Sequence, residues 1–176
     1  MSCLAVSPHV ESSRLTLRGF RRSDLPRLAE LANDEGVARM LGSMPHPFGL
    51  AEAEAFYDKI RVADPAKTAH FVIDFEGRPV GVLAFEEGPL GRSEIGYWLG
   101  RPYWGRGLAT EAVTAALDWA RTDWRRKLVV ACHYADNPAS GQVLVNAGFL
   151  YTGDIEDKLS QARAAAAPVR WMVWLA

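Results

Sequence analysis

Apolar residues recur along this chain with two periods, and the switches between them mark out its elements. Alternation predicts strands over 14–20, 68–75, 79–86 and 93–99, because successive strand side chains point to opposite faces. Spacing of three and four predicts helices over 23–33 and 51–63, with a short one near 35–41. Glu76-Gly77-Arg78-Pro79 separates two alternating runs, so 68–86 is expected to be an antiparallel hairpin. In 93–99, Ile95, Tyr97 and Leu99 form a wholly apolar face, while Glu94, Gly96 and Trp98 form the other. Leu108, Ala112, Ala115, Ala116 and Trp119 then repeat at helical spacing, opposite a polar stripe of Glu111, Thr114, Asp118 and Arg121. Strand 127–134 follows that helix, which implies a parallel crossover from 93–99 and hence a mixed sheet. Asn137, Pro138 and Gly148 fit the N-cap, first position and trailing glycine of a short helix with Ser140 in its first turn. The low-complexity stretch 162–168 predicts a surface connection before a last strand at 169–174.

Between strand 93–99 and its helix lies Tyr103-Trp104-Gly105-Arg106-Gly107-Leu108-Ala109-Thr110. Two glycines there can take backbone angles closed to other residues and bring a phosphate up to the unpaired N–H groups of the first helical turn. Many helices begin in a glycine turn without binding anything, so the loop alone is weak evidence. No Gly-Lys-Ser/Thr follows, and the third glycine and downstream acid of a dinucleotide fingerprint are missing. A different phosphate-bearing group is indicated.

Five motifs in order resemble the Gcn5-related N-acetyltransferase (GNAT) superfamily, and within it the RimJ/RimL-like ribosomal-protein-alanine acetyltransferase branch. They are 13–18 followed by Asp24, Glu94-Ile95-Gly96-Tyr97-Trp98, the loop 104–112, Asn137-Pro138-Ala139-Ser140, and Gly148-Phe149. The resemblance spans nearly the whole chain. It implies one acetyl-CoA-dependent N-acetyltransferase domain over 1–176 with an α/β (α+β) fold. The expected sheet is mixed and mostly antiparallel, with a splayed parallel pair at 93–99 and 127–134 and helices on both faces. Acetyl-CoA would place its pyrophosphate on Gly105, Arg106, Gly107, Leu108, Ala109 and Thr110. Its pantetheine arm would pass Trp98, Leu99 and Asn137. The implied reaction moves acetyl to a primary amine, a protein α-amino group or a small-molecule amine, by direct attack in a ternary complex. The chain departs from the pattern at Pro102, Gly19 and Gly141-Gln142, and Leu144 stands near the place of the superfamily's acidic tyrosine.

An α-amine near pKa 8 is already partly neutral at pH 7, whereas a lysine near 10.4 costs about 3 kcal/mol more to deprotonate. Glu94 is the candidate base, against the plain reading of a solvated carboxylate. Backbone N–H groups of 96–98 would meet the oxyanion if Gly96 marks a bulge. Ser140 is the candidate acid toward the departing thiolate, or a first-turn residue satisfying a backbone group. Asn137 serves either the pantetheine or its own helix. Glu111 is expected to point outward. His46 and Phe48, in the stiff loop 44–48, are candidates for the acceptor wall, while His133 reads as structural.

Composition excludes several alternatives. A net charge of −1 over 176 residues offers no general attraction to nucleic acid or anionic membranes, and Arg125-Arg126-Lys127 reads as a solvated turn. A 49% hydrophobic content is enough for one sizeable core. The start lacks a basic region and long apolar segment, so a cytoplasmic protein is expected, monomer or homodimer, with no metal. Cys3 and Cys132 make neither a disulfide framework nor a metal-ligand spacing, and Cys132 reads as a small buried hydrophobe. The alternative in another class is a non-catalytic acyl-CoA sensor.

Overall fold

The computed structural model describes residues 8–176; Cys3 and the first seven positions lie outside them. Eight strands form one sheet in the order β1-β2-β3-β4-β5-β6-β8-β7. They are β1 Val10–Glu11, β2 Leu15–Arg18, β3 Ala69–Phe75, β4 Arg78–Glu87, β5 Ser93–Leu99, β6 Leu128–Tyr134, β7 Leu150–Ser160 and β8 Ala165–Leu175. The helices are α1 Leu25–Ala32, α2 Glu35–Ala38, α3 Leu50–Arg61, α4 Leu108–Thr122 and α5 Pro138–Asn146. All neighbouring strands run antiparallel except β5 and β6. The mixed sheet, its parallel pair and the hairpin at 68–86 match the sequence expectation.

The alternation of each strand explains which helix covers which face. Phe71, Ile73, Leu83, Phe85, Ile95 and Leu99 point to one side and bury Leu108, Ala112, Val113 and Ala116 of α4. Alanines at 112, 116 and 120 are fully buried, so the helix axis lies close to the sheet, and larger side chains there would overpack at about 1–3 kcal/mol each. On the opposite face Val72 and Val82 pack on Leu28 of α1, and Leu25 and Ala29 pack on Ala53 of α3. Arg18 fixes the start of α1 to this face: its guanidinium reaches Asp24 and Asp74, each at 2.9 Å, and all three are buried. That ion cluster explains the pairing of Arg18 with Asp24 in the sequence motif.

Three details differ from expectation. The two-residue strand β1 has too few residues to show a period. The alanine run from 165 is strand, because it pairs with Lys158–Ser160 of β7 through the backbone and needs no apolar face to do so. Arg126 is not simply solvated: its guanidinium lies 3.8 Å from the centre of the Trp124 ring and donates to the Ala66 carbonyl.

β5 and β6 pair only at Ser93↔Val129 and Glu94↔Val130, and then part. Neither strand is frayed, since β5 stays in register with β4 to Leu99 and β6 with β8 to Tyr134. The result is a wedge-shaped gap between two well-supported strands.

Candidate active site

The gap opens into a cleft of about 560 Å³. One wall is Ile95 to Leu99 of β5, another is Cys132 and His133 of β6 with Asn137 and Ser140 of α5, and the loop 103–110 closes the end. Gly105 and Gly107 have φ of +70° and +74°, the left-handed region that a side chain disfavours. Through these two turns the chain enters α4 with every N–H from Gly105 to Thr110 lacking an acceptor among the described residues. Unpaired donors in a row at the positive end of a 15-residue helix form a site for an anion. Glu111 faces away, as expected: it accepts from Ser12 Oγ at 2.7 Å and from Arg14 N and Nε at 2.6 and 2.7 Å. Burial opposes its charge, yet these donors hold its pKa below the ordinary value. The Arg106 guanidinium lies over the Phe75 ring at 4.9 Å and its carbonyl accepts from Arg14 at 3.0 Å, so its backbone N–H is the group it leaves unpaired in the loop.

Which amides of β5 face the gap follows from the ladder. Gly100 N–H donates to the Val80 carbonyl, and in an antiparallel pair hydrogen-bonded residues alternate. Gly96 and Trp98 therefore bond β4, and the N–H and C=O groups of Tyr97 and Leu99 turn toward the gap. The register shows no bulge at Gly96. The expected donors of 96–98 thus reduce to Tyr97, joined by Leu99, because regular pairing consumes the other two. Leu99 C=O is already taken by the Trp104 indole at 2.7 Å, which ties the glycine loop back to the strand.

Tyr97 is the residue that sequence reasoning missed. Its ring joins the apolar face as predicted, but its hydroxyl lies 2.9 Å from Ser140 Oγ and donates to the Ser140 carbonyl at 3.1 Å. A buried tyrosine needs a partner for its hydroxyl, which was the available signal. Burial pushes its pKa up to about 12, with the Ser140 contact opposing, so it stays protonated. Asn137 caps α5, accepting from Ser140 N at 3.3 Å, and also lines the cleft. His133 is buried, with Nδ1 2.8 Å from the Tyr134 carbonyl and Nε2 3.0 Å from the Tyr151 hydroxyl. The carbonyl can only accept, so Nδ1 carries the proton and Nε2 accepts from Tyr151.

Glu94 sits at the last paired step before the strands part, on the face opposite α4. Its carboxylate meets Lys158 Nζ at 2.9 Å and Cys132 Sγ at 3.6 Å. Cys132 is half-buried and lines the cleft, so it is not the enclosed hydrophobe expected from the strand pattern. Burial still pushes its thiol up to about 11, with smaller opposing effects from Lys158. Trp98 lines the cleft and packs among Leu28, Val72 and Val82. The structure does not bring His46 or Phe48 to the cleft: His46 is exposed, and Phe48 packs against Ala53 and Val37. Val37, Met40 and Leu41 line that end instead. No group of His, Cys, Asp or Glu among the described residues is arranged to hold a metal ion, and no helix among them is long and apolar enough to cross a membrane.

Comparison with known proteins adds three findings. The acetyltransferase (GNAT) domain model matches residues 14–150. A ribosomal-protein-serine acetyltransferase of Escherichia coli (strain K12) is 36% identical over 86 residues, which are 47% of this chain and 48% of that protein, so the match spans about half its length. Two solved structures share the fold. Mycobacterium smegmatis RimJ in complex with CoA-disulfide aligns with a TM-score of 0.85 at 22% identity over 96% of this chain and 88% of that one. Spermidine N-acetyltransferase from Vibrio cholerae in complex with CoA and spermine aligns with a TM-score of 0.77 at 23% identity over 93% and 96%.

Proposed function

The chain belongs to the acetyltransferase (GNAT) domain family, and from that premise we propose that it transfers acetyl from acetyl-CoA to a primary amine, either a protein α-amino group or a small-molecule amine, within a ternary complex. The observation that carries this reading is the row of unpaired N–H groups from Gly105 to Thr110 at the mouth of the β5/β6 gap. Those donors suit a pyrophosphate, and the cleft beyond them suits the narrow pantetheine arm. Residues 1–176 act as one catalytic domain in this reading, without nucleic acid or membrane as partner.

When bound, the coenzyme supplies an activated acetyl thioester at the gap. Glu94 takes the proton of the incoming amine, directly or through a water. The N–H groups of Tyr97 and Leu99 face the gap and meet negative charge as it builds on the carbonyl oxygen. Ser140, hydrogen-bonded to the Tyr97 phenol, returns a proton to the leaving sulfur; the phenol, turning its O–H from the Ser140 carbonyl, passes one on to Oγ and regains its own from water. Asn137 orders this corner by capping α5.

A thiol-release assay across a panel of amines tests the reading. Peptides with alanine or serine first, polyamines and amino acids are supplied in turn with acetyl-CoA. Release that depends on one amine class supports it; tight CoA binding with no release on any amine supports a sensor.

A further inference from the structure

Lys158 Nζ stands beside the cleft, 2.9 Å from Glu94 Oε1 and 3.5 Å from Sγ of Cys132, which lines it. Its position is built rather than incidental. The β7–β8 hairpin runs on beyond Tyr134↔Val169, the last pair of β6, and Lys158 pairs there with Ala167. Three bonds fasten the hairpin end over the cleft: Ser160 Oγ to Leu41 O at 3.1 Å, Tyr134 Oη to Leu159 O at 3.0 Å, and Gln161 N to Gly42 O at 3.0 Å. The Trp171 ring lies 5.0 Å from Nζ.

Arg163 is paired with Asp136 at 2.8 Å, and Glu86, opposite Glu94 on β4, is hydrogen-bonded to His70 Nε2 at 2.7 Å. Glu94 and Lys158 cancel one another, so Glu94 presents no net negative charge to an arriving cation. An acceptor must bring its nitrogen to Glu94 alongside a fixed ammonium. An amine that arrives uncharged meets little repulsion, whereas a polyamine keeps further ammonium groups within a few ångströms of Lys158.

Resting on the acetyl-transfer reading above, we propose that Lys158 is a charge filter that admits a single low-pKa amine and turns polyamines away. Selectivity here comes from a built-in repulsion, not from an added attraction. The filter distinguishes acceptors that share the same carboxylate.

The test compares kcat/KM for a serine-led neutral peptide and for spermidine in the wild type, K158M and K158R. A folding defect or a general loss of activity is common to both acceptors and cancels in their ratio, so the ratio reads the charge at this position. The wild type should favour the peptide, K158M should move the ratio at least ~10-fold toward spermidine, and K158R should keep the wild-type ratio. An unchanged ratio in K158M, an equal shift in K158R, or a wild type that favours spermidine overturns the proposal. Turnover of neither amine by a wild type that binds CoA overturns the acetyl-transfer reading and this proposal with it.

Discussion

The Tyr97 hydroxyl lies 2.9 Å from Ser140 Oγ, so the free half of β5 is tied across the cleft to the first turn of α5. This contact joins the two walls at the depth where the strands have parted. It also gives Ser140 a neighbour that holds its proton, because burial keeps the phenol neutral with a pKa of about 12.

Removing that hydroxyl tests whether the pair works as a proton path. In Y97F the ring still fills its place, but Ser140 loses its partner. We expect kcat to fall roughly 10-fold with CoA affinity within about 2-fold of the wild type, and S140A to fall by about 10- to 100-fold. Steady-state rates together with CoA titration calorimetry check both. Because Tyr97 stays protonated through neutral and mildly alkaline pH, the wild-type kcat should show no alkaline limb from this group below about pH 11.

Gly107 should be intolerant of substitution for a backbone reason. Its φ is +74°, and an added Cβ would come only within 3.5 Å of an Arg14 side-chain nitrogen, so space is not the obstacle. The left-handed conformation costs a side chain about 1–2 kcal/mol. We expect G107A to weaken CoA binding by roughly 10-fold as the loop relaxes and the N–H groups turn away, with Tm lowered by only a few degrees. Calorimetry and thermal melting separate the two effects.

Asp34 links α2 to the turn that precedes the glycine loop. Its carboxylate caps α2 through Gly36 N at 2.8 Å and takes both ends of the Arg101 guanidinium at 2.6 and 2.7 Å. The Arg101 hydrogen bond, partly opposed by burial, lowers its pKa from 3.8 to about 2. A pKa depressed in the folded state means stability that is present above about pH 4 and is lost as pH falls toward 2. D34A should lose about 1 kcal/mol at neutral pH from the cap. Its deficit relative to wild type should shrink on acidification across that window, which urea unfolding at several pH values measures.

The buried Arg18 cluster should matter more than any surface pair. With Asp24 and Asp74 both enclosed, R18A leaves two unpaired carboxylates and should destabilise the fold by about 3–5 kcal/mol. Chemical denaturation checks this. A double change that also replaces both acids with neutral residues should recover part of the loss.

What the sequence made legible was local. Asn137, Pro138 and Gly148 marked both ends of α5 because capping depends on neighbouring residues, and Gly77 marked the β3–β4 turn, where φ is +76°. The glycine loop was legible for the same reason. The Glu94–Lys158 pair was not, because it depends on β7 and β8 running past the end of β6, and strand alternation says nothing of where a hairpin ends relative to its neighbours. His46 and Phe48 were placed by the stiffness of their loop and by where the resembled branch builds its acceptor wall. In the fold Phe48 turns inward because α1, α2 and α3 leave apolar surface for it to cover.

The central claim is that the bare N–H groups at the start of α4 hold the diphosphate of CoA. Titrating CoA into isotope-labelled protein and following backbone amide resonances tests it most directly. The largest shifts should fall on Gly105 to Thr110, with smaller ones at Tyr97 and Leu99 along the gap. Saturable shifts confined to another part of the surface, or none at millimolar CoA, would contradict the account.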